Sequence, residues 1–308
     1  MKRAILSLLA ALAAAPAVAQ TASTTPVTPV TATPADTDNA VVVQGMTRRS
    51  LNDVVSAMIQ PEPGVPIAKF RDWLCVAVQG LRPEFKQILE NRIRQVAQDA
   101  RIRVRTQGCQ PNLLVVAPPD PDGFADKLTR DHPMLFGDPA IGVAPQSLIT
   151  ALRKPRPVRW FAATYIQTTA SLGSSSMLAT PTVSLVSMWR LKAPTRADKL
   201  LNVVILDMDK LNGLSWKQLG DYIALVFFTS PKMDATFPSG TTLLSLFADR
   251  DAGRPLLPER TRLDRSLLAA TYGVDENLSA PLQRTRIIDD VVKQRVVLPA
   301  DPTAAGEN

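Results

Sequence analysis

The sequence predicts a mixed α/β (α+β) domain in which a sheet packs against a buried central helix and a C-terminal helix closes the fold. Two apolar runs of strand length, Leu113–Ala117 and Leu200–Leu206, are typical of strands covered on both faces. From Pro83 onward, apolar residues recur at steps of three and four, which indicates an amphipathic helix. The segment from Ser215 to Phe228 is apolar nearly all round, and a helix of that kind belongs inside a core.

The N-terminal half supplies further elements. Apolar residues at helical spacing predict a short helix over Thr47–Met58, and Trp73–Val78 predicts a strand. Arg101–Arg105 alternates between arginine and an apolar residue, which predicts a half-exposed strand. The three arginines of that strand either form a solvated outer face or bind an anion.

The middle and the C-terminal part complete the predicted order. Ser215 is placed as an N-cap with Gln218 three residues later, which forms a capping box. A closing helix over Leu263–Tyr272 is ended by Gly273. The other predicted elements are short helices over 125–128 and 146–152, strands over 160–168 and 182–191, and a hairpin-type loop at 173–176.

The N-terminus has the features of a cleavable secretory signal peptide at residues 1–19. Lys2 and Arg3 precede an apolar run too short to span a bilayer, and Ala17-Val18-Ala19 supplies the small residues before a cleavage site. An uncleaved N-terminal anchor is the alternative. The rest of the chain divides into a Thr/Pro-rich linker over 20–40, predicted to be disordered, a single globular domain over 41–298 and a disordered tail over 299–308.

Composition limits the classes of partner. Without the signal peptide, 33 basic residues stand against 28 acidic ones, which gives a net charge of +5. This mild excess suits an envelope protein or an anionic envelope surface as partner, although a plain solvated surface also explains it. Aromatic residues make up 5% of the chain and no basic stripe is interleaved with them, so nucleic-acid binding is not expected. No segment after the signal peptide is apolar enough to span a membrane.

The two cysteines indicate the redox compartment. In an exported protein, Cys75 and Cys109 most simply form a disulfide, which would stabilise the fold by roughly 3–4 kcal/mol in the chain-entropy model. Two separate buried thiols are the alternative.

Few residues offer catalytic or metal-binding chemistry. His132 is the single histidine, whereas zinc hydrolases generally use two or three, so no metal or other cofactor is expected. The serines at 174–176 lack the Gly-x-Ser-x-Gly motif of activated serines. The segment Asp207–Gly213 approaches a calcium loop, but Leu211 offers no side-chain oxygen and the glycine comes one place late.

Asp221 is the one weak candidate for a catalytic residue. It lies on the apolar helix, where an ionised carboxylate is costly unless it is paired. A structural hydrogen bond and a catalytic or ligand-contacting role are the two interpretations, with Asp264 and Glu259 as candidate partners. A structural role predicts that Asp221→Asn loses about 1–3 kcal/mol of stability.

Three motifs follow one another in the C-terminal third. They are Gln218-Leu219-Gly220-Asp221-Tyr222-Ile223-Ala224-Leu225, then Leu244-Ser245-Leu246-Phe247, then the stretch from Thr261 to Leu268 with Tyr272-Gly273 after it. Together with the element order, they resemble the zincin fold of matrixin-like metallopeptidases. In that family a central helix bears His-Glu-x-x-His, a Ser-x-Met-Tyr turn follows, and a helix ending in Leu-Tyr-Gly closes the domain.

The chain also resembles an uncharacterised exported proteobacterial family over residues 70–275, through the same helix and turn and through Asn112-Leu113-Leu114-Val115. The resemblance implies a degenerate site on the central helix, at Gln218, Asp221, Tyr222 and Leu225, because no histidine is present there to bind zinc. It implies a periplasmic or secreted protein with a non-catalytic binding or assembly role. The alternative is a hydrolase that uses carboxylates, Asp221 among them, without zinc.

Overall fold

The computed structural model describes residues 46–59, 66–136, 145–168 and 195–294. The signal peptide, the linker, the tail, the strand over 182–191 and the loop at 173–176 lie outside the described residues. Within them the predicted mixed α/β class is confirmed, since helices surround a mixed sheet. None of the helices in these ranges is long and apolar enough to cross a bilayer.

The sheet has four strands in the order β1-β2-β4-β3. The strands β1, β2 and β4 are parallel neighbours, and β3 pairs antiparallel with β4 at the edge. The strand bounds are β1 Val76–Gln79, β2 Leu113–Val116, β3 Val158–Thr168 and β4 Thr195–Leu206.

The described residues form eight α-helices, several of which begin at a clear capping signal. The predicted capping box is present at the start of α5, where Ser215 and Gln218 bond reciprocally, and a second one starts α7 at Thr261 and Asp264. The helix bounds are α1 Arg48–Met58, α2 Pro83–Asp99, α3 Pro121–Asp131, α4 Gln146–Arg153, α5 Trp216–Thr229, α6 Leu246–Asp251, α7 Arg262–Gly273 and α8 Ala280–Lys293.

Apolar side chains fill both faces of the sheet. The larger core joins the sheet to α2, α5 and α7, and α5 is buried from Gln218 to Thr229. On the other face, Phe161, Val203 and Ile205 pack with side chains of α3 and α4. Burial on both faces explains the unbroken apolar run at the end of β4.

The structure corrects two predicted elements. Arg101–Arg105 is not a regular strand, because Arg101 adopts a left-handed conformation with a φ of 61° that ends α2. Only Val104 remains in a β-bridge, to Leu74. The predicted closing helix is present as α7, but it is not the last one: α8 follows and packs against it.

Candidate functional site

The four residues of the predicted site helix are all buried in α5, but they do not converge on one site. Gln218 closes the capping box and donates its amide to the Leu257 carbonyl at 2.7 Å. Leu225 is fully buried in the larger core. Asp221 and Tyr222 are next to each other in sequence and have different neighbours.

Arg92 of α2 is the first partner of Asp221. Its Nε donates to Oδ1 of Asp221 at 2.9 Å, and its Nη2 donates to Oδ2 at 2.8 Å. These two parallel bonds form the bidentate arginine–carboxylate arrangement, which is shorter and stronger than a neutral hydrogen bond. The Asp221 side chain has no exposed surface, whereas that of Arg92 is 15% exposed.

Arg260 is the second partner, and it approaches from the loop before α7. Its backbone N–H donates to Oδ2 of Asp221 at 3.3 Å, and its Nε donates to Oδ1 at 3.1 Å. Its Nη2 donates to Asp99 at 2.8 Å, so the carboxylate of Asp99 also neutralises it. The side chain of Arg260 is almost completely buried.

Gly220 permits this close contact between α2 and α5. A Cβ built at Gly220 would lie 2.7 Å from Cγ and 2.9 Å from Cβ of Arg92. Since these Arg92 atoms are close to the backbone of α2, any larger residue at position 220 would push the two helices apart. The Gly220-Asp221 pair therefore provides both the room for Arg92 and the charge that holds it.

The four donors use the full capacity of the Asp221 carboxylate. Two carboxylate oxygens offer about four lone-pair sites, and Arg92 and Arg260 supply four hydrogen bonds to them. No lone pair of Asp221 remains to accept a proton from a substrate, to orient a water molecule or to bind a metal. The arrangement is that of a buried structural ion pair.

Of the two predicted partners of Asp221, Glu259 lies at the edge of this cluster. Its carboxylate is 3.6 Å from Nη2 of Arg92, 2.7 Å from the Lys217 ammonium and 2.8 Å from the Arg265 guanidinium. The hydrogen bond from Lys217, with help from Arg265, lowers the pKa of Glu259. Glu259 therefore stays ionised at neutral pH and does not act there as a general acid.

Asp264, the other predicted partner, serves a different contact. Its carboxylate accepts from the Thr242 hydroxyl and from the backbone N–H groups of Leu243 and Thr261. Burial raises the pKa of Asp264, and these hydrogen bonds oppose that rise. Asp264 thus ties the turn at 242–245 to the start of α7, and none of these hydrogen bonds involves Asp221.

Tyr222 packs in an aromatic cluster on another side of α5. Its ring lies edge-on to the rings of Trp160 and Phe247, with centroid distances of 6.4 and 4.8 Å. Burial raises the pKa of the Tyr222 hydroxyl, so that it stays protonated. Trp160 and Phe247 bring the edge strand β3 and α6 against the central helix.

The remaining candidates stay apart from Asp221. His132 is exposed at the C-terminal end of α3, and Asp207 forms an ion pair with Lys210 within a short 3₁₀-helix. Across the described ranges, no three His, Cys, Asp or Glu side chains come together as metal ligands. Two surface cavities have volumes of about 200 and 410 Å³, and Asp221 is not among the residues that line either of them.

Two buried lysines have chemistry that the sequence did not reveal. Lys199 of β4 donates to the carbonyls of Phe227 and Phe228 at the end of α5, at 2.6 and 3.2 Å, and Lys69 donates to the Val274 carbonyl that follows α7. Each ammonium thus lies at the C-terminal end of a helix, where the dipole favours a cation.

Desolvation by burial lowers the pKa of Lys199 to about 7. It is also the main reason why the pKa of Lys69 is lowered to about 8. Unfolding restores the normal lysine value of 10.5. The unfolded chain therefore binds more protons than the folded protein between about pH 7 and 10.5, and stability rises with pH through this window.

The arginines that bind Asp221 were not predicted, although signals for one of them are present. Arg92 follows Leu89 by three positions, so it borders the buried face of α2, and Gly220 beside Asp221 marks a close helix contact. Arg260 lies in a loop, where no periodicity indicates burial. The predicted disulfide between Cys75 and Cys109 is confirmed.

Comparison of the chain with protein-family models, with curated proteins and with solved structures finds no match.

Proposed function

We propose that this chain is an exported, periplasmic protein whose zincin-like domain is non-catalytic and serves a binding or assembly role in the cell envelope. The observation that carries the proposal is the state of Asp221, whose four lone-pair sites are taken by Arg92 and Arg260. A carboxylate in that state contributes to stability and offers nothing to a substrate.

The order of elements supports the zincin resemblance. A mixed sheet with an antiparallel edge strand leads into a capped, buried helix, a turn at 243–245 and the helix α7. The helix α5 carries Asp221, Tyr222 and Leu225 where the resemblance would place zinc ligands and a catalytic glutamate. These side chains make a salt bridge, an aromatic cluster and core contacts instead, which favours a structural use of the former site.

The rival function, hydrolysis by a pair of carboxylates, has less support. It requires two carboxyl groups that face one substrate, one of them protonated. Glu259 is held in its ionised form by Lys217 and Arg265, and Asp264 is directed at Thr242 and Leu243. Neither pairs with Asp221 across an open cleft.

Elemental analysis and activity assays on protein purified from the cell envelope test the proposal. We expect no stoichiometric zinc and no turnover of peptide or glycan libraries. Stoichiometric zinc lost together with activity on chelation would contradict it. So would an activity that Asp221→Asn abolishes without a change in stability.

The location has its own test. Mass spectrometry of the envelope-derived protein is expected to find Gln20 at the N-terminus. A dominant species that retains residues 1–19 would contradict export with cleavage.

A further inference from the structure

An exposed tryptophan lies at the edge of the sheet beside two arginines that form no ion pair with any described carboxylate. The side chain of Trp73 is 45% exposed, which is unusual among the large apolar side chains that the structure describes. The guanidinium carbons of Arg103 and Arg105 lie over its ring, 5.4 and 5.2 Å from the centroid. We name these three residues the arginine–tryptophan surface.

The backbone around this surface is held in place by several contacts. The bridge between Leu74 and Val104 puts Trp73 and the two arginines on the same side. The Trp73 carbonyl accepts from the Asn112 amide at 3.1 Å, and Cys75 is joined to Cys109. Arg103 also donates to the Arg71 carbonyl at 2.7 Å. The surface is therefore preorganised and is not a loose basic loop.

The charge of the surface is not neutralised from within. No described carboxylate forms an ion pair with Arg103 or Arg105, and the same is true of Arg101, which is exposed two residues earlier. Elsewhere in the described ranges most arginines have carboxylate partners, as Arg92 and Arg260 do. Unpaired guanidinium groups at a fixed position are suited to phosphate oxygens, which they bind through several N–H donors.

We propose that the arginine–tryptophan surface docks the protein on an anionic phospholipid bilayer. Tryptophan favours the interface between headgroups and acyl chains, and arginine binds the phosphates at the same depth. Single-stranded nucleic acid is bound by successive bases that stack on several aromatic rings, whereas Trp73 is the only aromatic residue among the exposed large apolar side chains of the described ranges. The inference rests on the proposed envelope location and gives the binding role a definite partner.

Vesicle co-sedimentation with the full chain tests the proposal. Vesicles of phosphatidylcholine with about one third phosphatidylglycerol should bind the protein, and vesicles of phosphatidylcholine alone should bind it much more weakly. Each arginine near an anionic bilayer contributes about fivefold to partitioning, so Arg103→Ser/Arg105→Ser should weaken binding roughly 30-fold. The control Arg49→Ser/Arg286→Ser removes the same charge from exposed positions outside the surface and should lose much less.

Two further variants distinguish docking from a general charge effect or from misfolding. Trp73→Phe should remove the blue shift of tryptophan fluorescence that anionic vesicles cause. Arg103→Lys/Arg105→Lys keeps the charge and should keep most of the binding. Equal loss in the two serine variants would overturn the proposal, as would tight binding to neutral vesicles. Binding to an acidic protein or polysaccharide that requires these arginines, without binding to vesicles, would also overturn it. None of these outcomes depends on whether Asp221 is catalytic, so failure here is separate from failure of the proposed function.

Discussion

Replacing Asp221 by asparagine would remove the negative charge that Arg92 and Arg260 share inside the protein. The amide of asparagine has one oxygen and cannot accept the paired bonds from Arg92 and Arg260 that the carboxylate accepts now. Arg260 keeps Asp99, and Arg92 keeps Glu259 at 3.6 Å, but both lose their main counterion. Breaking a buried ion pair in this way costs about 3–5 kcal/mol, which is more than the 1–3 kcal/mol expected from a single buried hydrogen bond.

Urea denaturation followed by circular dichroism measures this loss. Asp209→Asn is the matched control, because Asp209 is exposed and its substitution should change the free energy of unfolding by less than about 0.5 kcal/mol. If Asp221→Asn left the midpoint unchanged or raised it, the ion pair would not stabilise the fold. A raised midpoint together with a lost cellular activity would indicate that Asp221 is held for function.

Three more predictions concern the helix contact, the pH dependence and the disulfide. Gly220→Ala should lower the free energy of unfolding by about 1–3 kcal/mol, despite the better helix propensity of alanine. The control Gly273→Ala should be neutral or stabilising, because an added Cβ there meets nothing within 4 Å. Calorimetry that finds both substitutions stabilising would contradict the close contact with Arg92. The free energy of unfolding obtained from urea titrations should rise between pH 7 and 9, by up to about 1.4 kcal/mol per pH unit for each buried lysine. Lys199→Met should reduce that slope, and an equal slope in the variant would show that Lys199 titrates normally. Thiol labelling of denatured, unreduced protein should detect no free cysteine, and Cys75→Ser/Cys109→Ser should lose roughly 3–4 kcal/mol for a separation of 34 residues.

Local signals in the sequence predicted the helices that begin at clear caps. The capping box at Ser215 and Gln218 and the apolar periodicity after Pro83 each depend only on residues close together in the sequence. Both helices are present where they were expected. The prediction was wrong at Arg101, where alternation indicated a strand. Alternation does not reveal that α2 ends there in a left-handed residue, because arginine rarely takes the conformation that glycine usually supplies.

The helix α8 was missed for a related reason. Gly273 was predicted to end the closing helix of the domain. It is the last residue of α7, but the chain continues into α8 six residues after Val274. The apolar residues that bury α8 are few, with Ile287, Ile288 and Val291 among them. A helix with a narrow apolar face depends on its neighbours, so its periodicity alone is a weak signal.

The sequence by itself determined that Asp221 lies on a buried helix and must be paired, because an apolar helix and the cost of desolvating a carboxylate are both local facts. It also determined that two cysteines 34 positions apart could pair. Only the tertiary structure decided which groups pair with Asp221. Arg92 is 129 residues away in the chain and Arg260 is 39 residues away, and contacts over such separations depend on how α2, α5 and the loop before α7 pack together, which no local pattern encodes.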